Sequence, residues 1–300
     1  RVNDNGIIDS EFVHTGVNGI VYAIAVYPSN SIYAGKVLIA GSFTTVNGVS
    51  QTNIARLNFD GSLDTNFVVS SDGIIRALAI QNDSEVVLGG EFNNISGVPA
   101  NRLARLNADG TVDAAFAATL APGIGDTVNA IALQSDNRIV VVGQFLSANG
   151  LTRHHLTRLL PSGAADPTIN FGDGANGDIN AVAIQSNDQS IVIGGGFTQY
   201  NDQSAPYLTR IYGGSVTGSG NFEFTSASYE ASENGLQAAS SVRRAGGTSG
   251  PNPDGTGNVT VQFTTTPGSA QPGVNYQTVV TNVSFPPGEV LEQVFVPLID

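Results

Sequence analysis

Four arginines recur in one local setting: Arg56, Arg105, Arg158 and Arg210, each the first residue of an Arg-Leu or Arg-Ile pair. Two of them are followed by an Asp-Gly-x-x-Asp run, Asp60/Asp64 and Asp109/Asp113, and in a third copy Ser162 takes the place of the first Asp. A guanidinium and a carboxylate held at fixed spacing form charge-assisted pairs, so the arginines read as ties between one repeat and its neighbour rather than as ligand-binding groups. The acidic run lacks the alternating ligands and terminal Glu of an EF-hand loop. It reads as a turn whose carboxylate accepts backbone N–H groups.

The remaining inventory points away from catalysis. Of the three histidines, His14, His154 and His155, the last two are adjacent and neighbours on a strand point to opposite faces, which makes a poor metal site. No Gly-x-Ser-x-Gly elbow, His-Glu-x-x-His pair or phosphate loop occurs, and Gly194-Gly-Gly196 precedes Phe197 as a variant of a repeat rather than opening a helix. Asp254, in Pro253-Asp-Gly255, reads as a turn residue. Asn82, Asn94, Asn258 and Asn282 begin glycan acceptor triplets of the kind that Asn- and Ser-rich chains produce by chance. The expectation is therefore a protein that is not an enzyme.

What must position these residues is a repeat. Gly-x-Phe falls at Gly41/Phe43, Gly90/Phe92, Gly143/Phe145 and Gly195/Phe197, and the arginines keep the same step, a period of roughly 50 residues that signals propellers, solenoids or arrays. Each copy runs in one order. An apolar run alternating with small residues (Ala77-Leu-Ala-Ile80) leads through a polar turn to a β-branched run (Val86-Val-Leu88), then Gly-x-Phe, a second turn (Ser96-Gly97), a third strand carrying the Arg, and a short fourth segment ending in Phe. Runs of four to six residues bounded by turns are strands, and four short strands per unit make a propeller blade. The Gly lacks a Cβ and suits close backbone approach, while Phe43, Phe92, Phe145 and Phe197 supply apolar wedges between sheets. Residues 1–12 repeat the end of such a unit, so the chain reads as starting mid-repeat, an internal or processed fragment.

Composition narrows the partners. Lys+Arg 12 against Asp+Glu 25 gives a net charge of −13, which repels nucleic acid and anionic membrane surfaces. Cysteine is absent, which excludes disulfides and thiolate metal sites. No apolar run approaches the roughly 18 residues of a membrane span. Glycine, Asn, Ser and Thr in abundance with a single Lys are a composition common in exported bacterial surface proteins.

The units resemble the Delta-60 family of bacterial repeats, whose pattern of Ala-Ile-Ala-x-Gln, Val-Gly-Gly-x-Phe, Ala-Arg-Leu-Asn and Asp-Gly-Ser-Leu-Asp is nearly spelled out at 77–116. The resemblance covers 1–212 and implies a β-propeller without a particular activity. The last copy departs from it, since 213–220 is a Gly/Ser run with the composition of a linker. Beyond it, Glu233-Asn-Gly235, Val242-Arg-Arg244 followed by Gly246-Gly247, Gly273-Val-Asn-Tyr276 and Phe285-Pro-Pro-Gly-Glu289 come in the order of a Calx-β domain, which 221–300 resembles. That likeness implies an immunoglobulin-like antiparallel sandwich, here short of its last two strands, with calcium at one tip. The positions matching the family's ligands are Glu233, Asn275 and Asp300, with Asp254 as a further oxygen, and Asn275 in place of Asp weakens the set.

The expectation assembled from these readings is an all-β chain: propeller repeats at 1–212 (a partial blade at 1–12, then four repeats), a linker at 213–220, and a sandwich at 221–300. The expected role is a non-enzymatic, extracellular or cell-surface structural or adhesive segment of a larger bacterial protein. It would present loops to protein or glycan partners, with calcium as the one cofactor, and would self-associate into filaments by strand complementation. The competing class is a carbohydrate-active or ligand-binding propeller enzyme with its site in the central funnel.

Overall fold

The computed structural model describes residues 2, 4–12, 15–166, 172–186, 189–211, 221–226, 228–232, 235–245, 257–286, 289 and 291–299. Two compact units divide the chain: the first over Arg1–Ala165, Phe171–Ile184 and Val192–Thr209, the second over Asp166–Asn170, Gln185–Ile191 and Arg210–Asp300. The 213–220 linker expected from composition lies outside the described residues.

The repeat folds as antiparallel blades. Blade 1 orders Ile20–Val26, Val37–Ser42 and Ile54–Leu57; blade 2 orders Ile75–Ile80, Val86–Gly90 and Leu103–Leu106. Blade 3 orders Val128–Leu133, Ile139–Gly143 and Leu156–Leu159; blade 4 orders Ile179–Ile184, Ile191–Gly195 and Leu208–Ile211. We call these the inner, middle and outer strands, because each inner strand packs beside the inner strand of the next blade. A two-stranded hairpin follows each middle strand, closed at Asn47-Gly48, Ser96-Gly97, Asn149-Gly150 and Asn201-Asp202. Both residues of each pair have positive φ, which is the turn whose twist matches that of paired strands.

Close approach explains the invariant glycine. A Cβ on Gly41, Gly90, Gly143 or Gly195 would sit about 2 Å from a carbonyl oxygen of the adjoining inner strand (Ile20, Ile74, Thr127, Asp178). At the same place the inner strands of blades 1, 2 and 3 slip register, between Val21/Ala23, Ile75/Ala77 and Val128/Ala130. The phenylalanine two residues on is buried in every blade, with Phe43 at 3% exposure and the other three at 0%.

The two faces of a blade pack differently. In blade 2, Ala77 and Ala79 pair with Gly89 and Val87, and a Cβ on Gly89 would meet Val128 and Ile131 of blade 3. This forward face is therefore small near the inner strand, where neighbouring sheets come closest. The rear face is bulky: Ile75, Val86, Leu88 and Leu106 join Leu38, Ala40 and Ile54 of blade 1 in one core. Val87 and Leu103 join Val128, Ile139, Val141 and Leu159 in the next.

The fourth segment is shorter than a strand, a single bridge in each of three blades (Leu57 to Leu63, Leu106 to Val112, Leu159 to Ala165). The second Asp of the Asp-Gly-x-x-Asp run stops it. Asp64 Oδ1 accepts Asn66 N–H at 3.1 Å, and Asp113 Oδ1 accepts the N–H groups of Ala115 and Phe116 at 2.9 and 3.1 Å. An N-cap of that kind, followed by an alanine-rich stretch, starts a helix, and Ala114–Leu120 is a helix where a strand end was expected. The first Asp closes the preceding turn: Asp60 Oδ1 accepts Ser62 N–H at 3.0 Å and Asp109 Oδ1 accepts Thr111 N–H at 2.9 Å.

The repeated arginines use the carboxylate oxygen that capping leaves over. Arg56 Nε donates to Asp64 Oδ2 at 2.7 Å, with both side chains nearly inaccessible, and Lys36 Nζ reaches the same oxygen at 2.6 Å. The Arg56 guanidinium lies 4.0 Å from the Tyr33 ring centroid and 4.6 Å from that of Phe67 and donates across to the Ala108 carbonyl in the turn of blade 2 at 3.1 Å. Arg105 repeats the arrangement with Asp113 at 2.5 Å and the Pro161 carbonyl of blade 3 at 2.6 Å. Arg158 is buried and donates to Gln134 Oε1 at 3.0 Å. Arg210, exposed, donates to Gln185 Oε1 at 3.4 Å.

The second unit holds a three-stranded sheet, Asn221–Phe224, Gln237–Ala245 and Leu291–Pro297, and a two-stranded one, Val259–Thr264 with Val280–Phe285. Val242, Val283, Phe285 and Val294 form its core with Phe222, Val261 and Phe263 against them. The Phe222 and Phe285 rings are 5.0 Å apart, within the range of favourable aromatic pairs.

The Asp–Arg ties set an acid limit. Burial pushes the Asp64 carboxyl up, but hydrogen bonds from Lys36 and Arg56 outweigh it and hold it below its ordinary value. At Asp113, burial is likewise outweighed by the Phe116 N–H and Arg105. Carboxyls depressed in the folded state contribute stability above their unfolded value of about 3.9 and lose it as pH falls through the folded value. Urea unfolding of the blades is expected to give a constant free energy from pH 7 to about 5 and a decline below about 4, and Asp64→Asn is expected to flatten that decline.

Candidate functional site

The bulges on the inner strands bring together residues that sequence spacing did not single out. Tyr22, Arg76 and Asn129 each occupy the slipped position between the residue opposite Gly-x-Phe and the following Ala, and Asn180 holds the same place before Ala181. A bulge leaves one residue outside the ladder and re-aims its side chain. Because inner strands of successive blades adjoin, these four form a row at one end of the inner strands. The Arg76 guanidinium lies 5.1 Å from the Tyr22 ring centroid and pairs with Glu91 Oε1 at 2.5 Å. Asn129 Nδ2 donates to the Ile179 carbonyl at 3.0 Å and to Asn180 Oδ1 at 3.2 Å. Tyr22 and Asn180 are exposed, Arg76 and Asn129 half-buried.

This row presents one aromatic face, amides that both donate and accept, and a guanidinium neutralised by its own carboxylate. Such groups bind neutral polar ligands by stacking and hydrogen bonds. Ala23, Ala25, Ala77 and Ala79 of the inner strands belong to the forward faces of blades 1 and 2, opposite Ala40, Leu38, Gly89 and Val87. Among the described residues no three or more His, Asp and Glu side chains gather as a metal site would require. The sequence signal for the row is faint but present: Tyr, Arg, Asn and Asn vary in a frame where the next residue is always Ala.

The histidines lie apart from this row. His155 is buried at a left-handed backbone position (φ 66°) just before the outer strand of blade 3, with Nδ1 3.1 Å from the Gly143 carbonyl. His154 Nδ1 is 2.7 Å from the Asp173 carbonyl. His14 lies outside the described residues.

In the sandwich, Glu233, Asp254 and Asp300 also lie outside the described residues, so only Asn275 of the expected calcium set can be placed. Its Oδ1 accepts the Gln271 N–H at 2.9 Å and its carbonyl accepts Ile299 N–H at 3.0 Å. The side-chain oxygen thus closes a turn, and as a single neutral oxygen it falls far short of the six to eight that calcium takes. The residues placed do not fit an ion site by themselves. Within the same unit a cavity of about 490 Å³ opens among Phe224, Ala238, Phe263, Tyr276 and Val296. The Tyr276 hydroxyl is buried there with no hydrogen-bond partner among the described residues. Among the described residues no helix is long and apolar enough to cross a membrane.

Comparison with known proteins agrees with the architecture. A family model described as a domain of unknown function (DUF5122) beta-propeller matches residues 35–67, 81–116 and 134–168, and the Calx-beta domain model matches residues 217–300. None of the curated proteins compared with the chain matches it. Among solved structures, CBD12 from CALX1.2 is 16% identical over 54% of this chain and 68% of its own, with a TM-score of 0.26. A protein of unknown function from Bacteroides caccae is 12% identical over 75% of this chain and 70% of its own, with a TM-score of 0.34. Scores this low add nothing to the argument, which rests on the two family models. The chain carries beta-propeller repeats of the DUF5122 kind followed by a Calx-beta domain.

Proposed function

We propose that the chain is a non-enzymatic binding segment of an extracellular or cell-surface protein, in which rigid blades hold the Tyr22–Arg76–Asn129–Asn180 row for a neutral glycan. The observation that carries this reading is the row itself. Tyr22, Arg76 and Asn129 are re-aimed by bulges, with Asn180 at the same place in blade 4, out of a frame whose Gly, Phe, Arg and Asp are fixed by packing. A net charge of −13 disfavours polyanionic ligands, and the pairing of Arg76 with Glu91 leaves the row without a free cation to attract them. Strand addition to the sandwich is the second reading. It is favoured by the cavity among Phe224, Phe263 and Tyr276 and by the unpaired Tyr276 hydroxyl, which an incoming strand would bond.

Titration of the full chain against a panel of neutral oligosaccharides tests the first reading. Binding is expected for at least one of them, and Tyr22→Ala combined with Asn180→Ala is expected to weaken it about tenfold or more, ~1.4 kcal/mol. No binding across the panel, or binding untouched by the double substitution, contradicts it. Calcium plays no part in this reading, which concerns the blades; of the expected ligands only Asn275 is described, and its oxygen closes a turn. Thermal melts of the full chain in calcium and in chelator are expected to superpose. A higher melting temperature in calcium would instead assign an ion site to Glu233 and Asp300.

A further inference from the structure

One acceptor that the other blades supply is missing from blade 3. The segment leading into each inner strand makes a single bridge to the hairpin of its own blade, from Val17, Ser71, Ile124 and Ala175, and the residue after that bridge is Asn18, Asp72, Gly125 or Asn176. In three blades its side-chain oxygen takes the two backbone N–H groups that follow the buried Phe. Asn18 Oδ1 accepts Thr44 and Thr45 N–H at 2.9 Å each, and Asn176 Oδ1 accepts Thr198 and Gln199 N–H at 2.9 Å each. Asp72 Oδ1 accepts Asn93 and Asn94 N–H at 2.8 and 2.9 Å, and its second oxygen takes Asn94 Nδ2 at 2.7 Å.

Blade 3 keeps the backbone and lacks the oxygen. Gly125 N–H donates to the Ser147 carbonyl at 2.9 Å, as the N–H groups of Asn18, Asp72 and Asn176 do to Thr45, Asn94 and Gln199 at 3.2, 3.3 and 3.1 Å. The two donors at this place are Leu146 and Ser147 N–H. Ser147 stands opposite Thr152 at a pair whose ladder bonds run through the neighbouring residues, Arg153 N–H to the Leu146 carbonyl at 3.0 Å. Among the described residues neither N–H has an acceptor, and both residues are exposed.

The vacated place adjoins a cation. A cavity of about 240 Å³ opens between Asn101 and Arg102 of blade 2 and Gly125 and Ser147 of blade 3. Arg102, half-buried, donates through Nη1 to the Glu91 and Phe92 carbonyls and to Asn93 Oδ1 at 2.9, 3.1 and 2.6 Å. Unlike Arg56, Arg76 and Arg105, it has no carboxylate partner among the described residues.

We propose that this notch binds the carboxylate of a small ligand, one oxygen taking Leu146 and Ser147 N–H as Asp72 Oδ1 takes its two donors in blade 2, with Arg102 supplying the opposite charge. Adjacent backbone N–H groups in a concavity accept anions, and an ionised acceptor makes the stronger bond. The cavity is smaller than the roughly 300–1,000 Å³ of pockets that enclose a drug-sized molecule, so it fits a free small acid or the C-terminal carboxylate of a peptide. The site lies within the chain between two adjoining blades, apart from the Tyr22–Asn180 row, and stands independently of the glycan reading.

Amide-resolved NMR titration of the full chain with acetate, at neutral pH and constant ionic strength, tests it. The Leu146 and Ser147 N–H resonances are expected to move and saturate, while those of Thr198 and Gln199, already bonded to Asn176, stay in place. Gly125→Asn restores the acceptor that blades 1 and 4 carry; a Cβ there meets Ser147 Oγ, a hydroxyl that one rotation moves aside. This variant is expected to lose the acetate response with its other resonances unchanged. Arg102→Asn places at a left-handed position (φ 65°) the residue that blade 1 holds there in Asn53 (φ 62°), and is expected to weaken acetate about threefold. N-acetylglycine in place of acetate separates the two sources: tighter binding assigns a peptide terminus, equal or weaker binding a free acid, and either upholds the site. The proposal is overturned by acetate leaving Leu146 and Ser147 unmoved, by a response that persists in Gly125→Asn, or by binding indifferent to Arg102→Asn.

Discussion

Each three-stranded sheet of the repeat carries apolar side chains on both faces, and a sheet so small cannot bury both without neighbours. The bulky rear face of one blade and the small forward face of the one before it answer that constraint together. Leu38, Ala40 and Ile54 meet Ile75, Val86, Leu88 and Leu106, and the next pair repeats the pattern with other residues. At roughly 25 cal/mol for each Å² of apolar surface removed from water, these contacts outweigh what any single cross-blade hydrogen bond adds. Arg56 and Arg105 then fix the register: each holds the carboxylate of its own turn and donates to a carbonyl in the next.

Position along the repeat decides which residues are free to vary. The glycine opposite the inner strand cannot accept a side chain, the Phe fills the wedge, and the second Asp both caps the following segment and receives the arginine. One residue per blade escapes these demands, the one before the first Ala of the inner strand, which lies in a bulge in blades 1, 2 and 3. Tyr22, Arg76 and the asparagines Asn129 and Asn180 put three residue types on one scaffold, which is how a repeat architecture separates shape from recognition.

Much of this was legible in the sequence because the constraints act at every copy. The period, the strands, the Gly-x-Phe wedge and the Arg–Asp association each leave the same residue type at the same step. What was not legible depends on three-dimensional closure. The fourth segment contracts to one bridge because Asp64 and Asp113 turn their oxygens onto the N–H groups that follow, a competition between cap and ladder that a run of residues does not decide. The bulge row stayed hidden for the opposite reason, since Tyr, Arg and Asn at one step share no single residue type across the copies. Asn275 stands where the Calx-β pattern places an ion ligand, yet its oxygen closes the 271–275 turn.

The account as a whole rests on blade faces being covered by blades, and the most direct measurement compares one truncation at two copies of one position. Leu103→Ala removes a side chain that is fully covered by blade 3, and Leu208→Ala removes its counterpart from an open face. Chemical denaturation of the chain is expected to show a loss of about 2–5 kcal/mol for the first and less than about 0.5 kcal/mol for the second. Equal losses at the two positions would contradict the packing on which the rest depends.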